Sequence, residues 1–162
     1  MTKKIAVLVD VQNIYYTTRD AFGRSFNYRA LWQRLNNFGE IVMANAYAIE
    51  SQLDSQRKFQ DALRHIGFNV KLKPFIQRKD GSAKGDWDVG ITIDALEAAS
   101  SNTIDTLVLL SGDGDFDRLL QHVKQNYNVS STVYGVESLT AQSLINAADH
   151  FESITEHLLL PK

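Results

Sequence analysis

The sequence predicts an α/β fold: a mostly parallel central sheet with helices on both faces, of the Rossmann-like kind. Three observations predict it. Apolar, β-rich runs alternate with helical patterns along the whole chain, as a parallel sheet with crossover helices requires. Ile5 to Val9 and Thr106 to Leu110 are continuous apolar runs, as strands buried on both faces should be. Each of these runs leads into an aspartate, Asp10 or Asp113.

The elements follow in order. Ile5–Val9 reads as the first central strand, and Tyr28–Phe38 as a helix with Leu31, Leu35 and Phe38 at helical spacing, stopped by Gly39. Ile41–Ile49 is a second strand. Leu53–Ile66 is a polar-faced helix with Phe59, Leu63 and Ile66 on one side. Phe68–Ile76 alternates through Val70 and Leu72, with Lys71 and Lys73 between, as a half-exposed strand does. Residues 77–85 read as a loop rich in Gly, Ser, Lys and Arg. A helix spans about Trp87 to Ala99, and Thr106–Leu110 is the second central strand. Leu119–Gln125 is helical, Val129–Tyr134 a strand, Leu139–Ala148 a last helix and Phe151–Thr155 a short strand. With no repeat, linker or composition break, residues 1–162 are expected to form one domain.

The chain has no cysteine, which excludes disulfide scaffolds, thiolate metal sites and cysteine nucleophiles. No stretch approaches the ~20 apolar residues of a membrane span, and the N-terminus lacks a signal-peptide pattern, so a cytoplasmic location is expected. Seventeen Lys+Arg against 19 Asp+Glu leave a net charge of −2, which by itself points to no polyanion partner.

Where the acids sit says more than their sum. In open α/β sheets, sites lie beyond the carboxyl ends of the strands where strand order reverses. Asp10 opens Asp10-Val11-Gln12-Asn13, and Asp113 opens Asp113-Gly114-Asp115-Phe116-Asp117. Between them lie Lys84-Gly85-Asp86-Trp87-Asp88 and then Asp94. Two carboxylates ~4 Å apart repel by roughly 4 kcal/mol at an effective dielectric near 20. A convergent cluster therefore needs a cation or raised pKa values. All-oxygen ligands favour Mg²⁺ or Mn²⁺.

Each acid also has a plain structural reading. Asp10, Asp115 or Asp117 would serve as helix caps, and Asp88 as a first-turn acid favoured by the helix dipole. Asn13 reads as a capping or orienting residue. Asp88 and Asp94 are six apart, about 120° around a helix, so they cannot both aim at one ion unless Asp88 precedes the helix. Three motifs were weighed against the residues. An EF-hand fails at Arg118 and Lys124, and a P-loop is absent. Gly112-Asp113 with Asp117 fits a haloacid-dehalogenase-like phosphatase, but Gln12 stands where its general acid would.

Val7-Leu8-Val9-Asp10-Val11-Gln12-Asn13 resembles the opening D-x-x-N of NYN domains. Residues 84–94 resemble their K-G…D-V…D segment, and Leu110-Ser111-Gly112-Asp113-Gly114-Asp115-Phe116 their S-G-D-x-D-F. The order and extent, roughly Lys4 to Ile154, are most like the LabA-like branch. The resemblance implies a PIN-like fold and a metal-dependent ribonuclease. It implies that Asp10, Asp88, Asp94, Asp113 and Asp115 surround one or two divalent ions, with Asn13 orienting Asp10 or substrate.

On the substrate side, Lys71, Lys73, Arg78, Lys79 and Lys84 concentrate before Asp88, with Ser111 beside Asp113. Lys and Arg contacts to phosphate supply most sequence-independent nucleic-acid affinity. Arg24 and Arg29 would add to them. Tyr15, Tyr16 and Trp87 are candidate stacking platforms for RNA bases, whereas Phe116 reads as core. The four histidines, His65, His122, His150 and His157, form no ligand spacing and read as surface residues. The expected partner is RNA, with no membrane, and homodimerisation is common for such small domains. Two other classes stay open: a non-catalytic RNA- or metal-binding regulatory module, and the phosphatase.

Overall fold

The computed structural model describes residues 2–74, 76–77, 83–84 and 86–161. Strand β1 (Lys3–Asp10) runs through the core, with Ile5 to Val9 all at 0 % exposure. It lies between β2 (Gly39–Ile49) and β6 (Thr106–Leu110), parallel to both. β3 (Asn69–Lys73) extends the sheet beyond β2, while β7 (Ser130–Gly135) and β8 (His150–Ser153) extend it beyond β6. The six strands run in the order β3-β2-β1-β6-β7-β8, all parallel. A separate antiparallel pair joins β4 (Ile76–Gln77) to β5 (Ala83–Lys84).

Alternation along β1 divides the core. Ile5, Val7 and Val9 face one apolar cluster with α1 (Val11–Phe22), α2 (Tyr28–Phe38) and α3 (Asp54–Ile66). Ala6 and Leu8 face the other, with α4 (Asp88–Ser100), α5 (Asp117–Tyr127) and α6 (Gln142–Ala147). Fully burying each large aliphatic side chain stabilises the fold by roughly 1.5–3 kcal/mol, so this double-sided strand anchors both layers. The predicted α/β class and central strands are borne out.

Several boundaries differ, each for a local reason. α1 starts directly after Asp10, where no helix was expected: Val11, Ile14 and Thr18 are its only buried residues, a sparse stripe among β-favouring tyrosines and threonines. Gly39 donates its N–H to Leu35 O at the end of α2 but is extended (φ −172°) and begins β2. The strand expected over Phe68–Ile76 ends at Lys73. The last predicted helix is a 3₁₀ turn at Glu137–Leu139 followed by the six-residue α6. One glycine combines a left-handed backbone with a close side-chain approach. Gly67 ends α3 at φ +137°, and a Cβ there would meet the Trp32 ring at 2.6 Å.

Candidate active site at the β1–β6 switch point

Strand order reverses between β1 and β6: the chain builds outward through β2 and β3, then returns to the other side of β1. The last paired residues there are Val9 and Leu110, so Asp10 and Ser111 emerge side by side at the carboxyl edge. Hydrogen bonds then lock the two loops together. Ser111 Oγ donates to Asp10 Oδ2 (3.4 Å) and accepts from Asp113 N (3.1 Å). Gly112 N donates to Asn13 Oδ1 (2.8 Å), tying the start of α1 to the loop after β6. Ser111 is fully buried, so its two bonds hold Asp10 and Asp113 in a fixed relation.

The capping readings and the site readings hold together. Asp10 caps α1 by accepting from Asn13 N (3.4 Å). Asp113 caps a 3₁₀ turn at Gly114–Phe116 by accepting from Asp115 N (2.9 Å). Each cap uses one carboxylate oxygen. Asp88 opens α4, its own N–H held by Asp86 Oδ1 (2.6 Å).

Three carboxylates converge most closely. One oxygen from each of Asp88, Asp113 and Asp115 lies within 4.8 Å of the others. Asp10 borders this set. Burial, with added repulsion from Asp113 and Asp86, lifts Asp10 from 3.8 to about 6, against the opposing bonds from Asn13 and Ser111. Burial, together with hydrogen bonding and charge from Asp113 and Asp86, raises Asp88 to about 8. Holding a proton on Asp10 or Asp88 relieves the repulsion that a cation would otherwise neutralise. Hard oxygen donors in this number fit a hard divalent cation.

Asp94, expected to share the ion, is not one of these three. Its Oδ2 accepts from the Tyr47 hydroxyl (2.8 Å) and pairs with Lys71 Nζ (2.9 Å). The reason is helical geometry: Asp88 begins the helix rather than preceding it, so Asp94 lies about 120° away around α4 and faces β2 and β3. Lys71 is thereby taken up by Asp94. Tyr47 also accepts from Asn45 Nδ2 (3.0 Å), completing a buried chain from β2 through α4 to β3.

The NYN domain family model matches residues 4–155. The chain belongs to the NYN domain family. NYN domains lie within the PIN-like nuclease superfamily, and the six-stranded parallel sheet is consistent with that fold. This NYN chain is 29% identical over 161 residues to the low amplitude and bright protein LabA of Synechococcus elongatus, covering 94% of the chain and 84% of that relative. It is 27% identical over 159 residues to an uncharacterised protein of Methanocaldococcus jannaschii, covering 98% of the chain but 58% of that relative. A crystal structure of a protein of unknown function from Vibrio parahaemolyticus is similar at 53% identity and a TM-score of 0.92, covering 98% of this chain and 97% of that one.

The NYN site also contains an acid outside the expected set, Asp86. Asp86 holds the Asp88 N–H and raises the proton affinity of both Asp10 and Asp88. Its position two residues before a helix start was the available signal. Asp117 begins α5 and accepts from Arg118 N (2.6 Å).

The basic residues divide. Lys73 Nζ donates to the Asp86 carbonyl (2.7 Å) and lies 4.7 Å from the centre of the Trp87 ring. Trp87 is itself fastened, its indole N–H donating to Ala48 O (2.8 Å) and its ring packed on Tyr47. It therefore braces the start of α4 instead of forming an open stacking platform. Tyr15 and Tyr16 remain exposed, and Phe116 is core as expected. Arg24 is bound to Glu156 and Leu160 O, away from the acids. Arg78 and Lys79 lie outside the described residues, as does the side chain of Lys84. All four histidines are exposed. No helix among the described residues is long and apolar enough to cross a membrane.

Proposed function

We propose that this NYN domain is a metal-dependent endoribonuclease. The carrying observation is the convergence of Asp88, Asp113 and Asp115 oxygens within 4.8 Å of one another, at a switch point in a family of nuclease-like domains. These three carboxylates would hold Mg²⁺ or Mn²⁺, with Asp10 as a fourth donor beside them. A divalent ion supplies the positive charge that polarises a phosphate and makes a water more acidic.

The chain's own groups set up the reaction. Ser111 and Asn13 fix Asp10 and the β6 loop, so the carboxylates are organised before substrate arrives. Asp86 and Lys73 hold the α4 start that carries Asp88. Exposed Tyr15 and Tyr16 offer rings to an unpaired strand. Attack of water would form one P–O bond as the water gives up a proton and break one P–O ester bond, whose departing oxygen takes up a proton.

The test is cleavage of end-labelled single-stranded RNA with Mn²⁺ by the wild type and by Asp88→Asn and Asp113→Asn. A drop of at least a hundredfold in both variants is expected. Undiminished cleavage in either would refute the mechanism. Metal binding by calorimetry without turnover on any RNA would instead favour a regulatory module.

A further inference from the structure

A cavity of about 550 Å³ opens beside the carboxylates, between α1, the end of β2 and α3. Val11 and Gln12, the two residues after Asp10, line it, as does Tyr28, which feels the Asp10 charge. Its volume suits a small organic group.

Much of the wall is apolar, but polar side chains interrupt it, among them Glu50, the buried Thr18 and the nearly buried Gln60 and Tyr28. Gln60 is 5 % exposed, and its amide nitrogen donates to Ile49 O (3.2 Å). Its carbonyl oxygen has no partner among the described residues. Tyr28 is 7 % exposed, and its hydroxyl likewise has none there. No fully enclosed side-chain polar atom among the described residues lacks a partner. The spare groups of Gln60 and Tyr28 therefore meet open space: Tyr28 lines this cavity, and Gln60 stands between it and a second opening beside Arg57 and Arg64. Buried polar groups are nearly always bonded. Two with spare capacity on one wall fit a ligand with an apolar body and a hydrogen-bonding edge.

Two further lining residues define the chemistry. Tyr15 and Tyr16 stand edge to face, 5.3 Å apart, and are 45 % and 53 % exposed. The Arg19 guanidinium lies 5.1 Å and 5.2 Å from their ring centres. Aromatic faces with a cation beside them suit a base joined to a phosphate. Glutamine amides match the donor and acceptor edges of bases, and single-stranded RNA splays bases into such pockets.

We propose that this cavity is a nucleobase subsite, filled by a base of the strand whose phosphate lies at the Asp88 and Asp113 carboxylates. The inference rests on the ribonuclease reading and adds a base preference to it. A free mononucleotide offers the same chemistry, so the test separates the two sources.

Fluorescence anisotropy with Ca²⁺ in place of Mn²⁺, an oxygen-seeking ion to bridge the carboxylates and the phosphate, would compare labelled short homopolymers of each base. The proteins are the wild type, Tyr16→Ala, Tyr28→Phe and Gln60→Met, each checked by thermal unfolding. One homopolymer should bind tightest, and Tyr16→Ala and Gln60→Met should each weaken it about tenfold, removing the preference. If Gln60→Met unfolds, the exposed Tyr16→Ala carries the test. RNA binding that is indifferent to base and to all three variants overturns the subsite but leaves the ribonuclease reading standing. Failure of the wild type to bind or cleave any RNA, with no mononucleotide bound, overturns both. A mononucleotide bound with the same variant sensitivity, without RNA binding, keeps the nucleobase site and overturns its strand source.

Discussion

Asp10→Asn should make the metal-free protein more stable at neutral pH. Burial raises the Asp10 carboxyl from 3.8 to about 6. Below pH 3.8 it is protonated in both the folded and the unfolded chain and opposes nothing. Between pH 3.8 and about 6 the unfolded chain ionises first, so stability falls as pH rises. Above about 6 the full penalty applies. A shift of about 2 units at 1.36 kcal/mol each corresponds to about 3 kcal/mol. Asparagine keeps an oxygen for the Asn13 N–H but is a weaker acceptor than a carboxylate, which reduces the net gain to about 1–3 kcal/mol. For a chain of this length, that is a rise in Tm of about 3–10 °C.

The assay is thermal unfolding of wild type and Asp10→Asn in EDTA at pH 4, 6 and 8. The advantage of Asp10→Asn should be near zero at pH 4 and largest at pH 8. Added Mn²⁺ should then raise the wild type more than the variant, because a bound cation stabilises only the state that holds it. A variant less stable than the wild type at pH 8, or a difference independent of pH, would refute the reasoning.

Three other outcomes follow from the same geometry. Asp88→Asn should weaken Mn²⁺ binding in calorimetry at least tenfold, whereas Asp94→Asn should change it less than threefold and instead lower stability by about 1–3 kcal/mol through loss of the Lys71 and Tyr47 contacts. Asn13→Ala removes the acceptor of Gly112 N and should cost about 1–2 kcal/mol in urea unfolding, with a lower cleavage rate at saturating Mn²⁺. Gly67→Ala places a Cβ 2.6 Å from Trp32 at a positive φ and should destabilise by roughly 2 kcal/mol or more, with Mn²⁺ affinity unchanged.

What the sequence made legible was what one-dimensional pattern encodes directly. Two unbroken apolar runs marked β1 and β6, and the acids ending them fell beside the reversal of strand order because that is where parallel strands deliver their carboxyl ends. The choice between Asp86 and Asp94 was of a different kind. Both flank Asp88 in sequence, and only the start of α4 decides between them. Because the helix begins at Asp88, Asp86 stays in the loop, near enough to hold the Asp88 N–H, while Asp94 is carried around to β2 and β3. The fate of Lys71 and Trp87 follows from that turn: one pairs with the displaced acid and the other braces the helix start. A shift of α4 by one residue would rotate every side chain by about 100° and exchange these roles. The division between the clustered acids and the acid paired with Lys71 is thus set by a helix boundary, which local sequence specifies only weakly where, as here, the N-cap residue Trp87 makes no capping bond of its own.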